Sequence, residues 1–171
     1  MFRRLVESDL GLLHQWLNTP HVLEWWDRPA PDAVRAKYLP RVTGPSDAVP
    51  YIICRDEIPI GYIQLYRVEA GAWRLPDVRG GAGLDLFIGD TRYLHRGFGA
   101  EILRQFIREV AFQDETMTMC FIDPSPRNHI AIRAFEKAGF RRLTAGVDPD
   151  TGQAVQVMQL ARDAFEKLDP V

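Results

Sequence analysis

Asp123-Pro124-Ser125-Pro126-Arg127-Asn128, continued by Ala131-Ile132-Arg133-Ala134-Phe135-Glu136-Lys137-Ala138-Gly139-Phe140, is the stretch whose reading decides the fold. An apolar run ends in an acid, turns through prolines and starts a helix at Asn128, a good N-cap. That helix closes at Ala138-Gly139, a C-cap signal, and Phe140 opens the next strand. Upstream lies Leu94-His95-Arg96-Gly97-Phe98-Gly99-Ala100. Gly97 and Gly99 permit a turn whose backbone N–H groups converge on an anion such as a pyrophosphate, because no Cβ blocks the approach. The amphipathic run behind them adds the positive end of a helix dipole to the same place.

Composition narrows the classes. The 171 residues suit one domain, 1–171, with a sizeable core. With 21 basic against 23 acidic residues, the chain lacks the field of a nucleic-acid binder. No apolar run approaches the ~20 residues of a membrane span, and Met1-Phe2-Arg3-Arg4 does not open a signal peptide. Cys54 and Cys120 sit inside apolar runs and read as free buried thiols, which fits a cytoplasmic location. No Cys/His cluster has metal-ligand spacing, so no metal is expected.

The remaining elements follow from periodicity and punctuation. Phe2–Val6 reads as a strand, and Ser8 or Asp9 caps a helix to Leu17 whose apolar positions recur every three or four residues. A second helix spans about Asp32–Leu39 and ends at Pro40. Val49–Arg55 and Ile58–Val68 form a hairpin through Asp56-Glu57. Glu69–Gly83 is a long loop, followed by a strand Gly83–Ile88, a helix Phe98–Gln113 and a strand Thr116–Ile122. After the helix Asn128–Ala138 come strands at about Phe140–Gly146 and Ala154–Leu160, joined by the Asp148–Gly152 turn, and a short terminal helix Arg162–Leu168. This order, β-α-α-β-β-β-α-β-α-β-β, is that of an α/β (α+β) domain with a mixed sheet.

In this order of elements and in its two anchoring stretches, the sequence resembles the GNAT N-acetyltransferases over roughly Leu5 to Phe165. Within that superfamily it is most similar to the aminoglycoside 6′-N-acetyltransferases. His21-Val22-Leu23-Glu24-Trp25-Trp26, Tyr38-Leu39-Pro40, Pro50-Tyr51-Ile52, Pro59-Ile60-Gly61-Tyr62-Ile63-Gln64, Val78-Arg79-Gly80 and Gly83-Leu84-Asp85 carry the likeness, together with the Asp-Pro-Ser-Pro-x-Asn block. Siderophore-pathway acetyltransferases of lysine-derived amines share some of these blocks. The resemblance implies a mostly antiparallel sheet flanked by helices, in which Gly83–Ile88 and Thr116–Asp123 splay apart around acetyl-CoA, the co-substrate.

Acetyl transfer to an amine needs a neutral amine, an oxyanion stabiliser and an exit for the thiolate. Strand alternation puts Asp85 and Phe87 on one face, and Met119, Phe121 and Asp123 on one face of the later strand. Two carboxylates, Asp85 and Asp123, are thereby offered as catalytic and substrate-binding groups. An Asp near pKa ~4 is a weak base toward an ammonium, so Asp85 reads as an anchor and a relay for its proton, and the resemblance points the same way. Asp123 reads as a substrate anchor or as a cap before Pro124. The resemblance further implies that the amides of Phe87, Ile88 and Gly89 polarise the thioester, and that those from His95 through Arg96, Gly97, Phe98 and Gly99 to Ala100 hold the pyrophosphate. His95 and Arg96 read equally as cationic contacts or solvated loop charges, and Asn128 as a pantetheine contact or a helix cap.

Two departures from the family pattern stand out. Phe135 occupies the position of a Tyr general acid, and a phenyl ring donates no proton, so Tyr93, Tyr62, water or no donor at all serves the thiolate. The loop before Asp85 keeps Trp73 and Asp77 but interleaves Arg67, Arg74 and Arg79. Trp25, Trp26 and Trp73 read as stacking surfaces for a sugar ring or as core, and His14, His21 and His129 as ordinary helix or loop residues. The function expected is acetylation of the 6′-amine of an aminoglycoside, a small-molecule amine, by a monomer or homodimer. The alternatives are another amine, such as a siderophore precursor or a protein N-terminus, and a non-catalytic acyl-CoA-binding module.

Overall fold

The computed structural model describes residues 1–75, 78, 80–148 and 151–168. Strand β1 (Phe2–Arg4) leads into α1 (Leu10–Leu17), α2 (Pro20–Leu23) and α3 (Pro31–Thr43), then β2 (Ala48–Arg55), β3 (Ile58–Arg67) and β4 (Gly81–Ile88). Next come α4 (Phe98–Glu109), β5 (Met119–Ile122), α5 (His129–Ala138), β6 (Arg141–Val147), β7 (Ala154–Ala161) and α6 (Arg162–Leu168). Among the described residues the strands form one seven-stranded sheet in the order β1-β2-β3-β4-β5-β7-β6. The β1–β2, β2–β3, β5–β7 and β6–β7 pairings are antiparallel, while β4 and β5 run parallel over Gly81–Gly83. Asp56 and Glu57 turn the β2–β3 hairpin with φ of 48° and 65°, the two positive values a type I′ turn requires.

The chain divides into two compact units, Met1–Tyr66 with Asp85–Arg96, and Arg67–Leu84 with Gly97–Val171. In the first, Leu10, Leu13, Trp16 and Leu17 of α1 pack with Val34 and Tyr38 of α3 and with Ile52, Tyr62 and Phe87. Each such side chain, taken out of water, stabilises the unit by roughly 1.5–3 kcal/mol. In the second, Trp73, Val78, Phe121, Val155 and Val157 form a core cluster. Helices α4 and α5 pack together there, each with one apolar stripe inward: Ile102, Leu103, Phe106 and Ile107, and Ile132, Phe135 and Ala138. Both cysteines are free, as the sequence suggests; Cys120 is buried as expected, whereas Cys54 is only half-buried. Burial pushes the Cys120 thiol up to about 12.

Several elements differ from the sequence reading. Helix α3 does not stop at Pro40 but continues to Thr43, closing on Gly44 N–H to Pro40 O at 3.1 Å. Proline removes a single N–H there, and the burial of Val34 and Tyr38 outweighs the lost bond. A short helix, α2, fills Pro20–Leu23 with Pro20 at its first position, a start signal the sequence reading passed over. Helix α4 ends at Glu109 rather than Gln113, because Val110 leaves helical geometry and a separate turn buries Ala111 and Phe112. Strand β5 begins at Met119 rather than Thr116, since Asp114 Oδ1 accepts from the Thr116 amide and hydroxyl at 2.9 and 2.6 Å and holds a turn. Strand β4 begins two residues early, at Gly81, and the Asp148–Gly152 turn lies partly outside the described residues.

Arg162 locks the second unit. Its guanidinium donates to the carbonyls of Phe112, Asp114 and Met117 at 2.7–3.0 Å and lies 4.4 Å over the Phe112 ring. A lysine ammonium cannot reproduce that planar fork. Arg162→Lys should therefore cost about 2 kcal/mol or more, read as a fall of roughly 4–8 °C in thermal midpoint.

Candidate active site

Asp85 lies in the first unit within a built polar network. Tyr62 Oη and Arg41 both donate to Gln64 Oε1 at 2.7 Å, and Gln64 Nε2 donates to Asp85 Oδ2 at 2.6 Å. Tyr62 and Gln64 alternate onto one face of β3, as Asp85 and Phe87 do on β4, and the side chains of the two faces meet. Phe87 stacks on Tyr62 with centroids 5.5 Å apart and meets Trp26 edge-on at 5.1 Å. Burial raises the Tyr62 phenol well above its usual value and raises Tyr38 as well, so both stay protonated. Arg41 sits in the last turn of α3, beyond Pro40.

Asp123 lies in the second unit at the end of β5. Its Oδ2 accepts from Trp73 Nε1 at 2.8 Å, and the Trp73 ring packs 5.5 Å from Phe121. Met119, Phe121 and Asp123 thus share the face that Trp73 covers. Trp73 holds φ of 51°, a costly conformation for a bulky residue, and the packing and the bond to Asp123 keep it there.

The turn ahead of α4 has left-handed residues at His95, φ 58°, and Gly97, φ 80°. Gly97 is the N-cap of α4 and, having no side chain, supplies no side-chain cap to that helix. Beside it is a cavity of ≈ 520 Å³ whose lining includes Gly97, Ala100, the cations Arg104, Arg108 and Lys137, and the carboxylate of Glu101. A pyrophosphate would suit a helix N-terminus with this surplus of positive charge beside it.

Residues 5–146 match the acetyltransferase (GNAT) domain family. The chain belongs to the GNAT acetyltransferases. It is 38% identical to the aminoglycoside N(6′)-acetyltransferase type 1 of Klebsiella pneumoniae, over 99% of this chain and 86% of that protein. The aminoglycoside acetyltransferase AAC(6′)-Ib, solved in complex with coenzyme A and kanamycin, superposes with a TM-score of 0.88 at 36% identity, covering 98% of this chain and 97% of that one. A lysine N-acyltransferase, MbtK, of a Mycobacterium species is 27% identical over 78% of this chain and 55% of its own length. The GNAT fold and its mixed, mostly antiparallel sheet, expected from the sequence, are thereby established.

Other expected site residues of this GNAT chain divide by side chain and backbone. Phe87 is core, so only its backbone is available to a ligand. The Gly89 amide donates to Ile60 O at 2.8 Å, which removes it from the expected set of thioester-polarising amides. The Ile88 carbonyl meets His21 Nε2 at 2.9 Å, so His21 is no ordinary loop residue: it ties α2 to the end of β4. Tyr62 is fully buried with its hydroxyl given to Gln64, which excludes it as the donor to a departing thiolate. Asn128 caps α5, its Oδ1 accepting from the Ala131 amide at 3.0 Å. Phe135 is buried, its ring 6.4 Å from Phe140. Trp25 and Trp26 are half-buried, whereas Trp73 is core, so its stacking surface is spent on Phe121. His95 and Arg96 are exposed; Phe98, Gly99 and Ala100 are half-buried. Asp77 and Arg79 lie outside the described residues. Arg67 pairs with Asp114 at 2.8 Å, which offsets part of the loop's positive charge. Among the described residues no group of His, Cys, Asp and Glu is arranged to hold a metal ion, and no helix is long and apolar enough to cross a membrane.

Gln64 and Arg41, bonded in the network of Asp85, are candidate site residues that sequence reasoning missed. Their signal was present: a glutamine one alternation from Tyr62 in a strand otherwise apolar is a buried polar group that needs partners.

Proposed function

We propose that this protein transfers the acetyl group of acetyl-CoA to the 6′-amine of an aminoglycoside. The observation that carries this is the match with an aminoglycoside N(6′)-acetyltransferase along 99% of the chain. Asp85 receives the ammonium proton, directly or through water, and the neutral amine attacks the thioester carbonyl. A C–N bond forms, the C–S bond breaks, the electron pair leaves on the CoA sulfur, and the second nitrogen proton passes to water or to that sulfur. The Phe87 and Ile88 amides are the proposed stabilisers of the oxyanion. Asp123, held by Trp73, anchors a further ammonium group. The pyrophosphate of acetyl-CoA rests on the amides from His95 to Ala100, and the carbons of Phe98 and Gly99 shape that turn. Phe135 supplies no proton, so the thiolate, the conjugate base of an acidic thiol, departs into water.

Kanamycin A with saturating acetyl-CoA should give a mono-acetylated product, located at the 6′ nitrogen by NMR. Its KM should rise with salt, because the contacts are charge-assisted. Turnover of lysine or hydroxylysine with no product from kanamycin would move the assignment to the class of the lysine N-acyltransferase relative. Turnover of no amine would leave an acyl-CoA-binding module.

A further inference from the structure

Gln64 stands between a fixed cation and the carboxylate read above as the proton acceptor. It is only 8% exposed, and every polar end of its side chain has a partner: Tyr62 Oη and Arg41 on Oε1, and Asp85 Oδ2 on Nε2. The chemistry of those partners fixes the amide. A guanidinium has no acceptor, so the oxygen of Gln64 must face Arg41, and the NH₂ must face Asp85. Arg41 itself is braced by the Tyr38 ring, 5.3 Å away. The amide is thus polarised by a positive charge at one end and donates to a negative charge at the other, which strengthens the bond to Asp85.

We propose that Gln64 is a positioning residue which, backed by Arg41 and Tyr62, keeps Asp85 ionised and fixes the direction of its carboxylate for taking the proton of the substrate amine. This rests on the reading of Asp85 as that acceptor. A donor on the charged form of a carboxylate favours that form. The charged or titratable groups around the network are Arg41 and Tyr38 from α3, with Lys37 5.8 Å over the Tyr38 ring, Tyr62 from β3, and His21 of α2 at the Ile88 carbonyl. Both phenols stay protonated in the working range, and Arg41 stays charged.

The test is the pH dependence of kcat/KM for kanamycin at saturating acetyl-CoA. In Gln64→Glu the new carboxylate keeps the donors Arg41 and Tyr62, while Asp85 loses the Gln64 donor and gains a like-charged neighbour. The acid limb should move up by about one pH unit or more, and kcat at neutral pH should fall about tenfold to a hundredfold. Gln64→Met, of equal length and without a donor, should move the limb the same way by less. The KM for acetyl-CoA should not change in either variant. A purely structural role for Gln64 would lower activity equally at every pH. A folded Gln64→Glu protein whose limb coincides with the parent's overturns the proposal. If neither position-64 variant folds, Arg41→Met carries the test: an upward limb supports the proposal, and a parental limb overturns it. Asp85→Asn with parental kcat would instead overturn the reading of Asp85 on which this depends.

Discussion

Asp85→Asn is expected to lower kcat for aminoglycoside acetylation by about 10²–10⁴-fold, the range for removing a proton-transfer group. The substitution preserves side-chain shape but takes away the charge proposed to receive the ammonium proton. It also places an amide opposite Gln64 Nε2, where Asp85 Oδ2 now accepts at 2.6 Å. If the Asn oxygen faces Gln64, the fold is kept and the loss is confined to chemistry. Thermal midpoint and acetyl-CoA KM should therefore stay close to parental while kcat collapses, with kcat and kcat/KM for the amine falling together. The same enzyme with a parental kcat would show that the amine loses its proton elsewhere.

Gly61→Ala should be a strongly damaging small substitution in the first unit. A Cβ at position 61 would lie 2.4 Å from the Phe87 carbonyl oxygen and 3.0 Å from the Ile88 Cα. Both obstacles are backbone, so no rotamer change relieves the clash, and β4 must move away from β3. Overpacking of this kind costs about 3 kcal/mol, which for a chain of this size is a fall of roughly 6–12 °C in thermal midpoint. Because the displaced segment carries Asp85 and the Phe87 and Ile88 amides, kcat should fall with stability. A calorimetric midpoint equal to the parent's would mean that the two strands are spaced more widely at Phe87.

The parts of the fold that could be read in advance were those decided by neighbours in sequence. The stripes of α4 and α5, the Asn128 cap, the Gly139 stop and the Asp56-Glu57 turn all depend on residues a few positions apart, and each lies where the pattern puts it. Asp85 and Asp123 became candidates because alternation along a strand sorts its faces. The failures share a different cause. Pro40 is a local stop signal, overruled by the burial of Val34 and Tyr38, contacts that no local pattern encodes. That overruling has a chemical result, for the turn beyond Pro40 carries Arg41 to Gln64. Gly89 seemed available to a ligand until the Ile60 carbonyl, on another strand, proved to hold its amide. Trp73 stayed undecided between a stacking surface and core because its partners Phe121 and Asp123 lie 48 and 50 residues on. Contacts fixed by sheet register are invisible until the register is known.

The burial of Cys120 has a practical side. Acetyl transfer releases free CoA, which is commonly counted with colorimetric thiol reagents, and a protein thiol that reacts contributes a false blank. Cys120 has no exposed surface, and its thiol is pushed up to about 12, so in the folded chain it carries almost no thiolate at the mildly alkaline pH of such assays. Background labelling of the native protein thus falls to Cys54 alone, and a second equivalent of label appearing with time would register unfolding rather than turnover.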